Sequence, residues 1–138
     1  MALTPRVERL VLDTSAYSRM RTGHGTVLDA IAAAGIVLVP VTVLGELEAG
    51  FELGSRARAN RASLASFLAE PFVAVVETGP AVARRYGRLF ADLRRAGTPI
   101  PINDVWIAAA TLERDGHLLT FDGHFAEVAD LACTVLGD

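Results

Sequence analysis

The stretch "RLVLD", Arg9 to Asp13, runs apolar without alternation and closes on a carboxylate. A strand with one wet face alternates apolar and polar residues. A strand covered on both faces reads as a continuous apolar run, the habit of parallel sheets flanked by helices. Four further runs read the same way: "IVLV" (Ile36 to Val39), "FVAVV" (Phe72 to Val76), "HLLTF" (His117 to Phe121) and "CTVL" (Cys133 to Leu136). Between them the apolar residues recur at helical spacing, over about 27–34, 43–53, 58–70, 81–96 and 104–114. Thr42 and Asn103 read as N-caps, and Gly97 and Gly116 as C-terminal stops. The alternation predicts an α/β chain, a three-layer α/β/α sandwich around a mainly parallel five-stranded sheet. The 138 residues are 51% hydrophobic and show no repeat, low-complexity tract or linker, so residues 1–138 are expected to form a single domain.

Composition removes several functions. The formal charge of −3 gives no global pull toward a polyanion, so nucleic acid would need a local basic patch. The chain contains no lysine. That excludes a P-loop, a response-regulator receiver domain and a haloacid-dehalogenase-like phosphatase, each of which relies on one; the last also wants an aspartate where Ser15 stands. A lone Cys133 excludes an internal disulfide framework and agrees with a reducing, cytoplasmic setting. The uncharged run from Ala30 to Gly45 is too short for a membrane span and is broken by Gly35 and Pro40, and the N-terminus shows no export signal.

In a parallel sheet of this kind the crevice lies at the carboxyl ends of the strands. Asp13 closes the first strand, Asp122 follows the fourth in "LLTFDGHF", Glu46 lies one turn into the helix after the second, and Asp104 opens the helix before the fourth in "PINDVWIAAA". Each has a structural account when taken singly: Asp13 as a helix cap, Asp104 beside a helix dipole, Asp122 in an Asx-turn. Together they are like charges converging on one edge, which would raise one another's pKa. A hard divalent cation, Mg2+ or Mn2+, resolves that conflict, and is the expected partner of Asp104, shared with Asp13.

"LDTS", the glutamate of "GELEAG", "INDVWIAAA" with its terminal "RDGHLLTFD", and the following Phe125 resemble the PIN-domain ribonucleases, in particular the VapC-type toxins of toxin-antitoxin pairs. The resemblance covers essentially the whole chain. It implies a PIN-like fold and an endoribonuclease in which Asp13, Glu46, Asp104 and Asp122 are catalytic and hold the metal, with Thr14, Ser15, Asn103 and Thr120 as their hydrogen-bonding surround. It also implies an RNA substrate, hydrolysis to a 5′ phosphate and a 3′ hydroxyl, a homodimer and a small antitoxin partner. The alternative is a catalytically inactive PIN-like module that acts by binding RNA or a partner.

An RNA substrate directs attention to arginines. On the helix over 81–96, Val82, Tyr86, Leu89 and Leu93 form the inward stripe and leave Arg84, Arg88 and Arg95 outward as candidate phosphate contacts. The competing reading is a solvated face with Asp92 pairing Arg88. Arg56, Arg58 and Arg61 form a second group. His24, His117 and His124 lack the spacing of a metal pair and read as surface or strand-end residues. Trp106, ~160° from Asp104 on the helical wheel, faces another layer or a partner. Glu46 and Glu48 lie ~100° to either side of Leu47 on their helix, and the open Gly50 beside Glu46 favours the Glu46 rim as the functional one.

Overall fold

A computed structural model describes residues 6–137. Strands β1 (Arg9–Leu12), β2 (Ile36–Pro40), β3 (Val73–Val76), β4 (His117–Thr120) and β5 (Cys133–Val135) form one sheet in the order β3-β2-β1-β4-β5. Every neighbouring pair is parallel. The first strand of the chain lies in the middle, with Leu10 in register with Val37 on one side and His117 on the other. Leu10, Val11 and Leu12 are at most 1% exposed. Successive side chains of a strand point to opposite faces, so burial of all three means that both faces are covered. The edge strand β5 departs from that expectation, because Thr134 and Val135 are exposed.

Helices α1 (Thr14–Arg21), α2 (Gly25–Ala33), α3 (Val41–Leu53), α4 (Ala57–Leu68), α5 (Pro80–Arg95) and α6 (Ile102–Glu113), with a 3-10 turn at Gly123–Glu127, make up the remaining regular structure of the described residues. Helix α1 lies outside the segments that spacing marked as helical. Its sequence, TSAYSRMR, is mostly polar and buries only Ala16 and Tyr17, so it lacks the apolar stripe that signals a helix. Thr42 and Asn103 are not caps: α3 and α6 begin two residues earlier than their spacing predicts, each behind a proline, Pro40 and Pro101. Gly97 takes φ +75° just past α5, as a helix stop should. After α6 it is Asp115, at φ +49°, that adopts the left-handed conformation, and Gly116 serves a different purpose. A Cβ on Gly116 would lie 2.6 Å from Val11 Cγ2, so the chain can pass the central strand there only without a side chain.

Helices α5 and α6 run antiparallel against each other. Arg85 near the start of α5 pairs with Glu113 at the end of α6, Nε to Oε2 2.9 Å. At the other end Phe90, Leu93 and Arg94 share a cavity of about 180 Å3 with Ile102 and Val105. Trp106 is used within this pair, stacked on Tyr86 with ring centroids 3.9 Å apart. The arginine pairing also differs from the expected one, since Asp92 meets Arg95 at 3.6 Å rather than Arg88. Among the described residues no helix is long and apolar enough to cross a membrane.

Candidate active site

Asp13 follows β1 directly and caps α1. Its Oδ1 accepts hydrogen bonds from the Ala16 amide at 2.8 Å and the Ser15 hydroxyl at 2.7 Å, and its Oδ2 accepts from Thr120 Oγ1 at 2.5 Å. The residue is 5% exposed. The cap therefore does two jobs, starting a helix of weak intrinsic propensity and fixing a buried carboxylate at the carboxyl end of the central strand. Ser15 Oγ also accepts from the Phe121 amide at 3.0 Å, and Thr120 Oγ1 from the Asp122 amide at 2.9 Å. Both hydroxyls thus tie the end of β4 to Asp13.

The other three acids stand around an open cleft of about 420 Å3, lined by Glu46, Pro101, Ile102, Asn103, Asp104, Asp122 and His124. Glu46, from α3, accepts from Thr14 Oγ1 at 2.6 Å and from Asn103 Nδ2 at 3.4 Å. Glu48 turns away and pairs with Arg61, Nε to Oε1 2.7 Å. Asp104, in the first turn of α6, is 14% exposed and meets His124 Nδ1 at 3.1 Å. Asp122 accepts from the His124 amide at 2.9 Å, forming the Asx-turn read from the sequence, and its Oδ1 lies 3.0 Å from His124 Nδ1. The protein group against Asp104 is thus a histidine that spacing arguments had assigned to the surface. Its signal was the Asp-Gly-His order at 122–124, in which the turn capped by Asp122 folds the ring back over the acids.

The electrostatics show too much negative charge in too little water. Burial raises the Asp13 carboxyl above its ordinary value, against the lowering effect of Thr120, the Ala16 amide and Ser15, and the charge of Asp122 pushes the same way. Burial likewise raises Asp104, opposed by the hydrogen bond from His124 and reinforced by Asp122 and Glu46. The imidazole of His124 is raised by its hydrogen bond to Asp104 and by the charge of Asp122. Each group leans toward the protonation state that subtracts negative charge. A cation bound among them would do the same, and oxygen donors with one imidazole nitrogen suit a divalent metal. Ligand atoms of Asp104, Asp122 and His124 all lie within 4.8 Å of one another.

The four acids and their four neighbours from the sequence reading, Thr14, Ser15, Asn103 and Thr120, come together in one connected region. The candidate arginines Arg84, Arg88 and Arg95 are not among the residues that line the cleft. Arg84, Arg85 and Arg88 border a separate cavity with Ala81 and Glu113, toward the far end of α6 from Asp104. Along α5 it is Arg94 that approaches the cleft: it shares a cavity with Ile102, which itself lines the cleft, and its guanidinium sits 5.3 Å over the Phe90 ring.

Known proteins agree with this architecture. The PIN domain family profile matches residues 10–131. Ribonuclease VapC5 of Mycobacterium tuberculosis is 33% identical over 129 residues, covering 91% of this chain and 90% of that protein. Ribonuclease VapC4 of the same organism is 30% identical over 126 residues, covering 91% and 95%. Among solved structures, a VapBC-5 toxin-antitoxin complex from Mycobacterium tuberculosis matches with a TM-score of 0.72 and 26% identity over 94% of this chain and 98% of its own. VapBC2 from Rickettsia felis, bound to a promoter DNA fragment, matches with a TM-score of 0.81 over 92% and 98%, and at 19% identity speaks for the fold. A profile match over most of the length, two relatives of at least 30% identity and this sheet order lead to one conclusion: the chain belongs to the PIN-domain family.

Proposed function

We propose that this protein is a metal-dependent endoribonuclease, the toxin component of a toxin-antitoxin pair, with residues 1–138 as its single nuclease domain. The observation that carries the reading is the connected set Asp13, Glu46, Asp104 and Asp122, drawn from four separate elements, on the carboxyl edge of the sheet of a chain related to VapC ribonucleases. Asp13, Asp104 and Asp122 would hold Mg2+ or Mn2+; Asp104 and Asp122 line the cleft with ligand atoms within 4.8 Å of each other, and Asp13 stands behind them at the end of β1. When bound, such an ion supplies positive charge to a non-bridging phosphate oxygen and lowers the pKa of water. Glu46, steadied by Thr14 and Asn103, orients the attacking water and draws on its proton. Water oxygen joins phosphorus as the bond to the 3′ oxygen breaks; Glu46 takes up the water's proton, and the 3′ oxygen takes one from solvent and leaves as a hydroxyl opposite a 5′ phosphate. Asp13, held by three hydrogen bonds, keeps its place when the charge around it changes.

Arginines outside the cleft, Arg94 nearest and Arg84, Arg88 and Arg95 beyond, hold the RNA backbone. A cognate antitoxin is supported by relatives named as VapC ribonucleases and by structural neighbours solved as VapBC systems; a homodimeric state and a cytoplasmic site of action complete the reading. The deciding experiment incubates total RNA with the purified chain in Mg2+, in Mn2+ and in EDTA, beside Asp104→Asn. Cleavage that needs the ion and Asp104 is the expected result. RNA binding without cleavage under any of these conditions would instead mark a catalytically inactive PIN-like binding module.

A further inference from the structure

The acids of the cleft account for an oxygen site; they do not account for His124. Its Nδ1 lies 3.1 Å from Asp104 Oδ2 and 3.0 Å from Asp122 Oδ1. The side chain is 53% exposed, so packing does not impose this orientation. What imposes it is the turn: the His124 amide donates to the Asp122 carboxylate at 2.9 Å, and the ring comes back over both acids. The ring hydrogen-bonds Asp104 at this distance; adjacent ligand atoms around an octahedral ion with bonds of about 2.1 Å are also separated by roughly 3 Å, so an ion can take the place of the shared proton without moving the nitrogen from either oxygen.

We propose that His124 is itself a ligand of the ion held by Asp104 and Asp122, through Nδ1, and that it turns an all-oxygen centre into a mixed one that selects Mn2+ over Mg2+. The inference rests on the metal-dependent reading above. With the ion bound, the ring keeps its proton on Nε2 and offers the Nδ1 lone pair. Mg2+ takes oxygen donors and gives up its waters reluctantly, whereas first-row transition ions accept an imidazole nitrogen in place of water. Mn2+ combines that tolerance with the affinity for carboxylates that the rest of the site demands.

The test titrates the purified full chain with MnCl2, following the loss of the free-ion EPR signal, and examines the loaded protein by pulsed EPR. Expected in the wild-type protein is nitrogen coupling to bound Mn2+ that changes pattern when histidine is labelled with 15N and disappears in His124→Ala and His124→Gln. Mn2+ affinity should fall about tenfold or more in both variants. Mg2+ affinity, measured by competition, should change less than about threefold, so the preference for Mn2+ narrows. Mn2+ bound without histidine coupling, together with EDTA-sensitive RNA cleavage, would overturn the role of His124 and leave the nuclease reading standing. Equal or tighter Mn2+ binding by His124→Ala would overturn it too, showing that the ring competes with the ion. No binding of either ion and no cleavage would overturn both.

Discussion

Asp104 shows how a residue can cost stability where it supplies function. Its carboxyl is raised above 3.8 chiefly by burial, so in the window from that value up to its folded pKa the folded protein holds more protons than the unfolded chain. Stability therefore grows as pH falls through the window, and at neutral pH the charged form is a net burden. Asp104→Asn should abolish RNA cleavage while the metal-free variant melts at or above the wild-type temperature. The difference should shrink on acidification, for two reasons of the same sign. Wild-type Asp104 becomes neutral, and His124, whose pKa is raised by Asp104, contributes stability below about 6.5 that is lost as pH rises through its folded value. Melts in EDTA at neutral and mildly acidic pH check both parts. A drop of several degrees at neutral pH would make Asp104 a structural acceptor for His124 instead. The place of Asp104 at the opening of its helix, on the edge shared with the other acids, was readable from the sequence, but its histidine neighbour was not. That contact depends on a turn two residues after Asp122, and no periodicity reports a turn's direction.

Helix α3 carries two glutamates that sequence distance barely separates and geometry separates fully. Glu46 faces the cleft and takes hydrogen bonds from Thr14 and Asn103, whereas Glu48 is spent on Arg61, which also reaches Glu52. Glu46→Gln should lower the single-turnover rate at saturating metal by at least ~100-fold, the loss expected when a group that positions water or charge in the transition state is removed. Glu48→Gln should change it by less than about threefold, since it removes only a half-exposed ion pair. Equal losses would mean that the helix face, not the carboxylate, is what matters. On α5 the corresponding contrast is among arginines. If RNA runs past the cleft along Arg94, replacing Arg94 and Arg95 with Gln should flatten the salt dependence of RNA binding by about two phosphate contacts, more than replacing Arg84 and Arg88 does. Filter binding across a salt series measures both slopes, and equal slopes would spread the RNA along the whole helix. The apolar stripe of α5 was legible because that helix has a clear wet face. Helix α1 was not, because its start is set by Asp13 rather than by any stripe of its own.

Strand β1 comes first among the described elements and lies in the middle of the sheet, and this placement assembles the site: Asp13 is held between α1 and the end of β4, and its neighbour Thr14 reaches Glu46 of α3. The parallel character of the sheet could be read from five unalternating runs, but the order β3-β2-β1-β4-β5 could not, because continuous apolar strands are interchangeable by pattern. What fixes their neighbours is fit, and Gly116 is one place where fit has no slack. It precedes β4 directly, and an added methyl would meet Val11 Cγ2 at 2.6 Å. Val11 is fully buried in the central strand and has nowhere to move. Gly116→Ala should therefore destabilise the protein by ~1–3 kcal/mol, the usual cost of forcing an extra carbon into a packed core. Gly87→Ala is the control: the position is exposed in the middle of α5 with nothing within 4 Å of an added Cβ, so only helix propensity changes and stability should rise by up to about 1 kcal/mol. Urea midpoints of the two variants separate the cases. Opposite signs are expected; a neutral Gly116→Ala would mean that β4 can slide away from β1, and with it Thr120 from Asp13, so that variant should then be assayed for loss of cleavage rather than loss of fold.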